Sequence, residues 1–376
     1  MRLIRLASPG VPEEDLQAVM EVLASGWLVQ GKQVEAFERA IAELVGVEHA
    51  VAVNSGTSAL HLALLGLGIG PGSAVAVPAY SFVATANVVE LCGAETVFVD
   101  VEPRTFNMDP GQLERALQRP AGAAPIKALV PVHAFGLMAD MAAIGKLAAR
   151  HGIPIIEDAA CALGATFSGR QAGTIGRAGC FSFHPRKTIT TGEGGMIVTA
   201  DAELAATARA LRNHGQEAGS SPPRFIAPGF NYRMTEFQAV LGATALGRLA
   251  GNVAARRRFA AHYDELLAGS VETPAVPAGS EHVYQSYVTL LPPTASAGRV
   301  ELIGRLAAGG VEAQIGTYNI PMTTYYRERY GYDAADFPVT GDVYARALAL
   351  PMHEKLEAAD RERVAALVRE ELGRLP

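Results

Sequence analysis

Between residues 49 and 199 the chain repeats one pattern, a short uninterrupted apolar run among longer stretches of helical periodicity. The runs are HAVAVN, SAVAVP, TVFVDV, IKALVPV, IPIIED and GCFSF, and the helical stretches include SALHLALLGLGI, DMAAIGKLAARHG and DAELAATARALRNHG. A strand that is apolar at every position, rather than at every second one, needs cover on both faces. Alternating helices supply that cover, which predicts an α/β fold built on a mostly parallel sheet. Ahead of this region Pro12 opens a helix through VPEEDLQAVMEVLAS, with acids in its first turn and Gly26 past its end. QVEAFERAIAELVG reads as a second helix.

The character changes after about residue 250. A long helix over roughly 235–268 leads to a strand at QSYVTLL, a helix at RVELIGRLAAGG, a strand at VEAQIG and a closing helix at ADRERVAALVREEL. The expectation is a large domain over residues 1–250, its N-terminal helices free to pack on the second domain, and a smaller α+β domain over 251–376. The Tyr-rich segment from Pro321 to Pro338 reads as a long loop over a site.

Composition narrows the function classes. The 376 residues are 49% hydrophobic with a net charge of −6, so the chain can bury a sizeable core and lacks the basic surface that nucleic acid selects. No stretch approaches the ~18 uninterrupted apolar residues of a membrane span, and the N-terminus has no long apolar core of a secretion signal. Cys92, Cys161 and Cys180 are an odd count without metal-ligand spacing, which fits a reduced, cytoplasmic setting and no metal site.

Four local features carry chemistry. In VAVNSGTSALHLAL a strand ends at Asn54 and the run Ser55, Gly56, Thr57, Ser58 opens a helix. That run can be an ordinary N-cap or an anion site, because a helix N-terminus offers free N–H groups. No Walker lysine follows and the three-glycine dinucleotide fingerprint is missing, which argues against ATP and NAD. In IPIIEDAACALG an apolar strand runs into Glu157 and Asp158, at the carboxyl end where α/β sheets bind ligands, although an acid there can also cap the next helix. In FSFHPRKTITTGEGG the single Lys187 lies between an apolar strand and a tight Gly-rich turn. A solvated lysine is a poor nucleophile, whereas a desolvated one can form a Schiff base with a carbonyl. In PGFNYRMTEFQ a polar loop with Asn231 and Arg233 precedes a helix that Thr235 can cap. An anion cup, a strand-end acid and a shielded lysine are together what pyridoxal phosphate requires.

With these stretches in place the chain resembles the DegT-type aminotransferases that act on nucleotide-linked sugars, within the fold-type I pyridoxal phosphate enzymes. The resemblance runs nearly end to end, through SGWLVQGKQVEAFE, AVNSGTSALHLAL, AYSFVATAN, FVDVEPRTFNMDP, PVHAFG, IIEDAACALGA, FSFHPRKTITTGEGGMIVT, LRNHG and GFNYRMTEFQA. ITTGEGG is most similar to the perosamine-synthase branch. The resemblance implies an aspartate aminotransferase-like large domain followed by a smaller one. It implies that Lys187 carries pyridoxal 5′-phosphate as a Schiff base, Asp158 pairs with the pyridine nitrogen and Phe82 stacks on the ring. Gly56, Thr57, Ser58 and Ser182 then hold the phosphate, with Asn231 reaching it from the partner subunit of a homodimer. Cys161 stands among the cofactor-binding positions where such enzymes commonly have Gln, His or Glu.

His184, Trp27, Tyr318, His133 and Arg233 are candidates to face the substrate, and for His133 a structural hydrogen bond competes with that role. IPMTTYY lacks the histidine expected soon after its proline. A related dehydratase branch has histidine in place of the lysine, so the presence of Lys187 implies transamination. Glutamate then leaves its amino group as pyridoxamine 5′-phosphate, and a nucleotide-linked keto-sugar, by analogy a 4-keto-6-deoxy sugar, receives it for amino-sugar and polysaccharide biosynthesis. Two other functions share the same cofactor: amination of a keto-cyclitol, and non-catalytic sensing of pyridoxal phosphate by a regulator.

Overall fold

The computed structural model describes residues 2–118 and 122–375. Seven strands form the central sheet: β1 (His49–Val53), β2 (Ala74–Pro78), β3 (Glu95–Val99), β4 (Ile126–Leu129), β5 (Ile156–Asp158), β6 (Ala178–Ser182) and β7 (Gly195–Thr199). Backbone pairing gives the orders β1-β7-β6-β5 and β4-β2-β3, and the parallel bridges Leu129–Ile155 and Val132–Asp158 join β4 to β5. Only β7 runs against its neighbours, so the mostly parallel expectation holds with one antiparallel strand. Every residue of β2 and of β7 is buried, as the apolar runs require.

The strand directions decide where a site can form. Because β7 opposes both β1 and β6, those two run the same way, and β5 is parallel to β6. Val53 pairs with Gly195, which pairs with Ser182, while Asp158 pairs with Cys180. The carboxyl ends of β1, β5 and β6 therefore share one edge, the edge where open α/β sheets take ligands.

Helices α1 (Glu13–Ser25), α2 (Lys32–Val45), α3 (Gly56–Gly66), α4 (Ala84–Leu91), α5 (Met141–His151) and α6 (Ala202–Arg212) accompany the sheet. Their ends follow local chemistry. Asp140 and Asp201 accept amide protons at the starts of α5 and α6, and α1 and α2 stop at left-handed Gly26 and Gly46. The start of α2 has no cap of its own, and the Glu236 carboxylate accepts the amides of Gly31, Gln33 and Val34 instead.

The continuous helix expected over 235–268 is two helices, α7 (Glu236–Leu246) and α8 (Leu249–Leu267). The break falls at Gly247–Arg248, where a weak helix former precedes an arginine that grips the fully buried Asp15 through both carboxylate oxygens. Leu249 and Val253 pack in the core under the sheet, whereas Ala260, Tyr263 and Leu267 pack in a C-terminal core, so α8 joins the two cores. That second core contains α9 (Arg299–Ala308) and a two-stranded antiparallel sheet of β8 (Tyr287–Leu290) and β9 (Ala347–Leu350). Ile4 reaches it from the N-terminal segment, bridging to Val311.

Two expectations need correction. VEAQIG makes only single bridges, Ile4–Val311 and Gln314–Ala349, rather than a strand, and the segment after Pro321 contains α10 (Thr324–Tyr330) instead of being all loop. Its aromatic side chains pack across helical turns, and Gly331 in the left-handed conformation stops it. The chain closes with α11 (Ala358–Leu372).

Candidate active site

At the end of β5 two adjacent acids diverge because successive strand residues face opposite ways. Glu157 is fully buried and accepts from His133 Nε2 at 2.8 Å and from the amides of Gly173, Ile175 and Gly176 at 2.9, 2.6 and 2.6 Å. Burial pushes its carboxyl up, but His133 and the amides outweigh that and hold it below the ordinary carboxylate value. His133 is itself fully buried, with Nδ1 accepting the Ala139 amide, so its proton sits on Nε2 and both ring nitrogens are engaged. That geometry gives His133 the structural role and removes it from the substrate-facing set.

Asp158 faces the carboxyl edge and is 5% exposed. Thr85 Oγ1 donates to its Oδ2 at 2.8 Å and the Ala160 amide to Oδ1 at 3.2 Å. Burial nonetheless raises its carboxyl above the ordinary value, opposed by those two donors and by the charge of Lys187. A buried carboxylate with this little compensation favours a cationic partner. Thr85 went unremarked in the sequence because, within AYSFVATAN, it reads as an ordinary first-turn residue of α4, and its partner is 73 positions away.

Lys187 lies in the excursion between β6 and β7, in a turn closed by its own amide on the His184 carbonyl. It is half-buried, and Nζ lies 3.0 Å from Cys161 Sγ. Cys161 thus meets the lysine itself. His184 is half-exposed at the rim; burial lowers its basicity against the pull of Glu193.

In the cup beside β6 the N-cap that the sequence allowed is present. Ser55 caps α3 by accepting the Ser58 amide at 3.1 Å. The amides of Gly56 and Thr57 precede any intrahelical acceptor. The Ser58 hydroxyl donates to Asn54 at 2.7 Å, which leaves the exposed Thr57 as the freer hydroxyl. A Cβ on Gly56 would fall 2.8 Å from Ser182 Cβ, so only glycine allows the helix this approach. The loop with Asn231 and Arg233 is tied alongside: the Asn54 amide donates to the Tyr232 carbonyl at 2.8 Å, and Arg233 donates to Asn213 at 2.5 Å. Asn231 is exposed, and among the described residues its side chain makes no hydrogen bond.

Phe82 follows the two-residue strand Tyr80–Ser81, is 59% exposed, and has its ring 6.2 Å from that of Tyr318, itself 42% exposed. Neither is a core aromatic. Trp27, 61% exposed, lies in the loop between α1 and α2 that Glu236 secures. Among the described residues no group of three His, Cys, Asp or Glu is placed to hold a metal ion, and no helix is long and apolar enough to cross a membrane.

A half-buried lysine, a buried acid whose pKa is raised, and a cup of helix amides share one sheet edge, the arrangement expected of a lysine-dependent aminotransferase. The chain belongs to the DegT/DnrJ/EryC1/StrS aminotransferase family, whose model matches residues 10–369. It is 40% identical over 370 residues to a GDP-perosamine synthase of Caulobacter vibrioides, covering 96% of each chain. Among solved structures it resembles a DegT DnrJ EryC1 StrS aminotransferase from Brucella abortus, with TM-score 0.89, 36% identity and 96% of both chains covered. It also resembles Helicobacter pylori PseC, an aminotransferase involved in the biosynthesis of pseudoaminic acid, with TM-score 0.93, 27% identity and all of both chains covered.

Proposed function

We propose that the protein uses pyridoxal 5′-phosphate to move an amino group from glutamate to a nucleotide-linked keto-sugar, with a 4-keto-6-deoxy sugar as the acceptor. The observation that carries this is the meeting of Asp158 and Lys187 on one carboxyl edge: a buried carboxyl raised by desolvation, and a half-buried amine whose charge partly relieves it.

The residues present fit the cofactor. The cradle that a Cβ on Gly56 would fill, with the Gly56 and Thr57 amides and the Thr57 and Ser182 hydroxyls, suits a phosphate. Asp158 suits a protonated ring nitrogen, and the exposed Phe82 face suits a planar heterocycle. When bound, the cofactor supplies an electron sink and stores the amino group between two half-reactions. Asp158 keeps the ring nitrogen protonated, and Thr85 orients Asp158. Lys187, once its amine is free, takes the proton from the glutamate Cα and later delivers one to the sugar carbon that becomes the amine-bearing centre. Its half-buried setting limits competing water. His184 and Tyr318 stand at the rim where the acceptor enters. Asn231, exposed and without a side-chain partner among the described residues, completes the phosphate site of a second copy in a homodimer.

Keto-sugars carried on dTDP, UDP and GDP, each incubated with glutamate and the holoenzyme and read by mass spectrometry, test this. The expected result is an amino-sugar nucleotide from one nucleotide class, with GDP favoured by the similarity to a GDP-perosamine synthase. Amination of a keto-cyclitol with every sugar nucleotide inert, or no glutamate half-reaction at all, contradicts it.

A further inference from the structure

A second carboxylate, outside the chemistry just described, organises the acceptor rim. Glu90 lies near the end of α4, with its side chain 10% exposed. Its Oε1 accepts from Thr96 Oγ1 at 2.7 Å and from Tyr330 OH at 2.5 Å; its Oε2 accepts from Tyr325 OH at 3.1 Å and pairs with Arg329 Nε at 2.8 Å. One turn earlier on α4, Asn87 accepts from Tyr326 OH at 2.8 Å. Four side chains of α10 are thus fastened to one face of α4.

We infer that Glu90 is a positioning residue for the acceptor sugar nucleotide, because it clasps α10 onto α4 and thereby sets the gap between Phe82 and Tyr318. The inference rests on the aminotransferase function proposed above. The segment 318–330 rides along the segment 79–91: buried Ile320 and Tyr326 seat it in the same core as Ala86, Val88 and Val89 of α4, and polar contacts fix its two ends. Beside Phe82, Tyr318–Asn319 pairs antiparallel with Tyr80–Ser81, and the Ile320 amide donates to the Ala79 carbonyl at 2.9 Å. At the far end of α4, Glu90 holds the helix that follows. The two-residue ladder alone is a weak hold, since so short a pair of strands is marginal without further packing. Tyr325 is 53% exposed, so its hydroxyl contact, not its burial, keeps it in place.

The two ends of α4 serve different partners. Its first turn carries Thr85, already bound to Asp158, so losing Glu90 loosens the polar face of α10 and lets Tyr318 shift while Phe82 and Asp158 stay anchored. The glutamate half-reaction depends on Lys187, Asp158 and the phosphate cup. The sugar half-reaction depends in addition on the Tyr318 wall. A loss of Glu90 therefore separates the two.

The test measures both half-reactions in the holoenzyme: glutamate in a single turnover followed by cofactor absorbance, then the amine-loaded enzyme with the keto-sugar nucleotide that the wild type accepts. In Glu90→Ala the KM for the sugar nucleotide rises on the order of tenfold while the glutamate step stays within about twofold. Glu90→Gln falls between, because an amide oxygen still accepts from tyrosines but no longer pairs with Arg329. Tyr330→Phe keeps the ring and moves the same constant in the same direction; it decides the matter should Glu90→Ala not fold. Equal losses in both half-reactions, or an unchanged sugar KM in a folded variant, overturns the inference. A wild-type enzyme without a glutamate half-reaction would instead refute the aminotransferase function on which it rests.

Discussion

Replacing Thr85 with valine keeps the side-chain shape and deletes the hydroxyl that donates to Asp158 at 2.8 Å. A hydrogen bond to a charged group contributes about 1.5–3 kcal/mol and one to a neutral group about 0.5–1.5 kcal/mol, so the bond favours ionised over neutral Asp158 by roughly 1–1.5 kcal/mol. The carboxyl is already raised by burial, and losing Thr85 raises it further. A pyridine nitrogen is held protonated only by the ionised form. Where the free variant holds Asp158 neutral, the extra ionisation energy appears in full on cofactor binding; well above its pKa it appears in neither state. Thr85→Val therefore binds pyridoxal phosphate roughly five- to tenfold more weakly on the acid side of the titration, and the defect fades as pH rises. Cofactor titration across the neutral range, read by absorbance, measures this. A defect that is constant with pH, or grows toward alkaline pH, would refute the role given to Thr85.

Asp158→Asn removes a carboxyl whose folded-state value is raised, so ionisation at this position opposes folding above that value and the opposition is relieved as pH falls through it. Turnover drops by at least about a hundredfold, yet the cofactor-free variant melts no lower than wild type at neutral pH and above. Glu157→Gln does the reverse. It disturbs a buried carboxylate with four donors and lowers stability by about 3 kcal/mol in denaturant titrations. Because the folded Glu157 value is depressed, that contribution is present above the unfolded value and lost on acidification, so variant and wild type converge at low pH. Gly56→Ala places a Cβ 2.8 Å from Ser182 Cβ, spreads the cup and weakens cofactor binding by about tenfold or more, with little change in the melting of the cofactor-free protein.

Much of this architecture was legible wherever the deciding interactions are local. Apolar runs marked the strands because burial on both faces leaves no polar position, and Gly26 marked a helix end because its cap is made within the same turn. The Lys187 stretch stood out because an isolated amine between an apolar strand and a Gly-rich turn has few structural uses. What escaped depends on partners far along the chain. Thr85 acquires meaning only beside Asp158, and Glu236 caps α2 from about 200 residues away. The break at Gly247–Arg248 interrupts a helical pattern for the sake of Asp15 at the other end of the sequence. His133 looked well placed for a ligand at a strand end, but Glu157 takes its ring inward. The Tyr-rich segment lacked a helical apolar stripe because tyrosines, which bury their rings and bond through their hydroxyls, hold it to α4.

The claim on which the rest depends is that one ε-amine, half-buried beside Cys161, carries the cofactor covalently. Protein saturated with pyridoxal phosphate, reduced with borohydride, digested and mapped by mass spectrometry reads this directly. The pyridoxyl mass belongs on the peptide spanning Phe183 to Thr191, at Lys187. Cofactor-saturated protein in which that peptide emerges unmodified, with the label on another lysine or on none, contradicts the account.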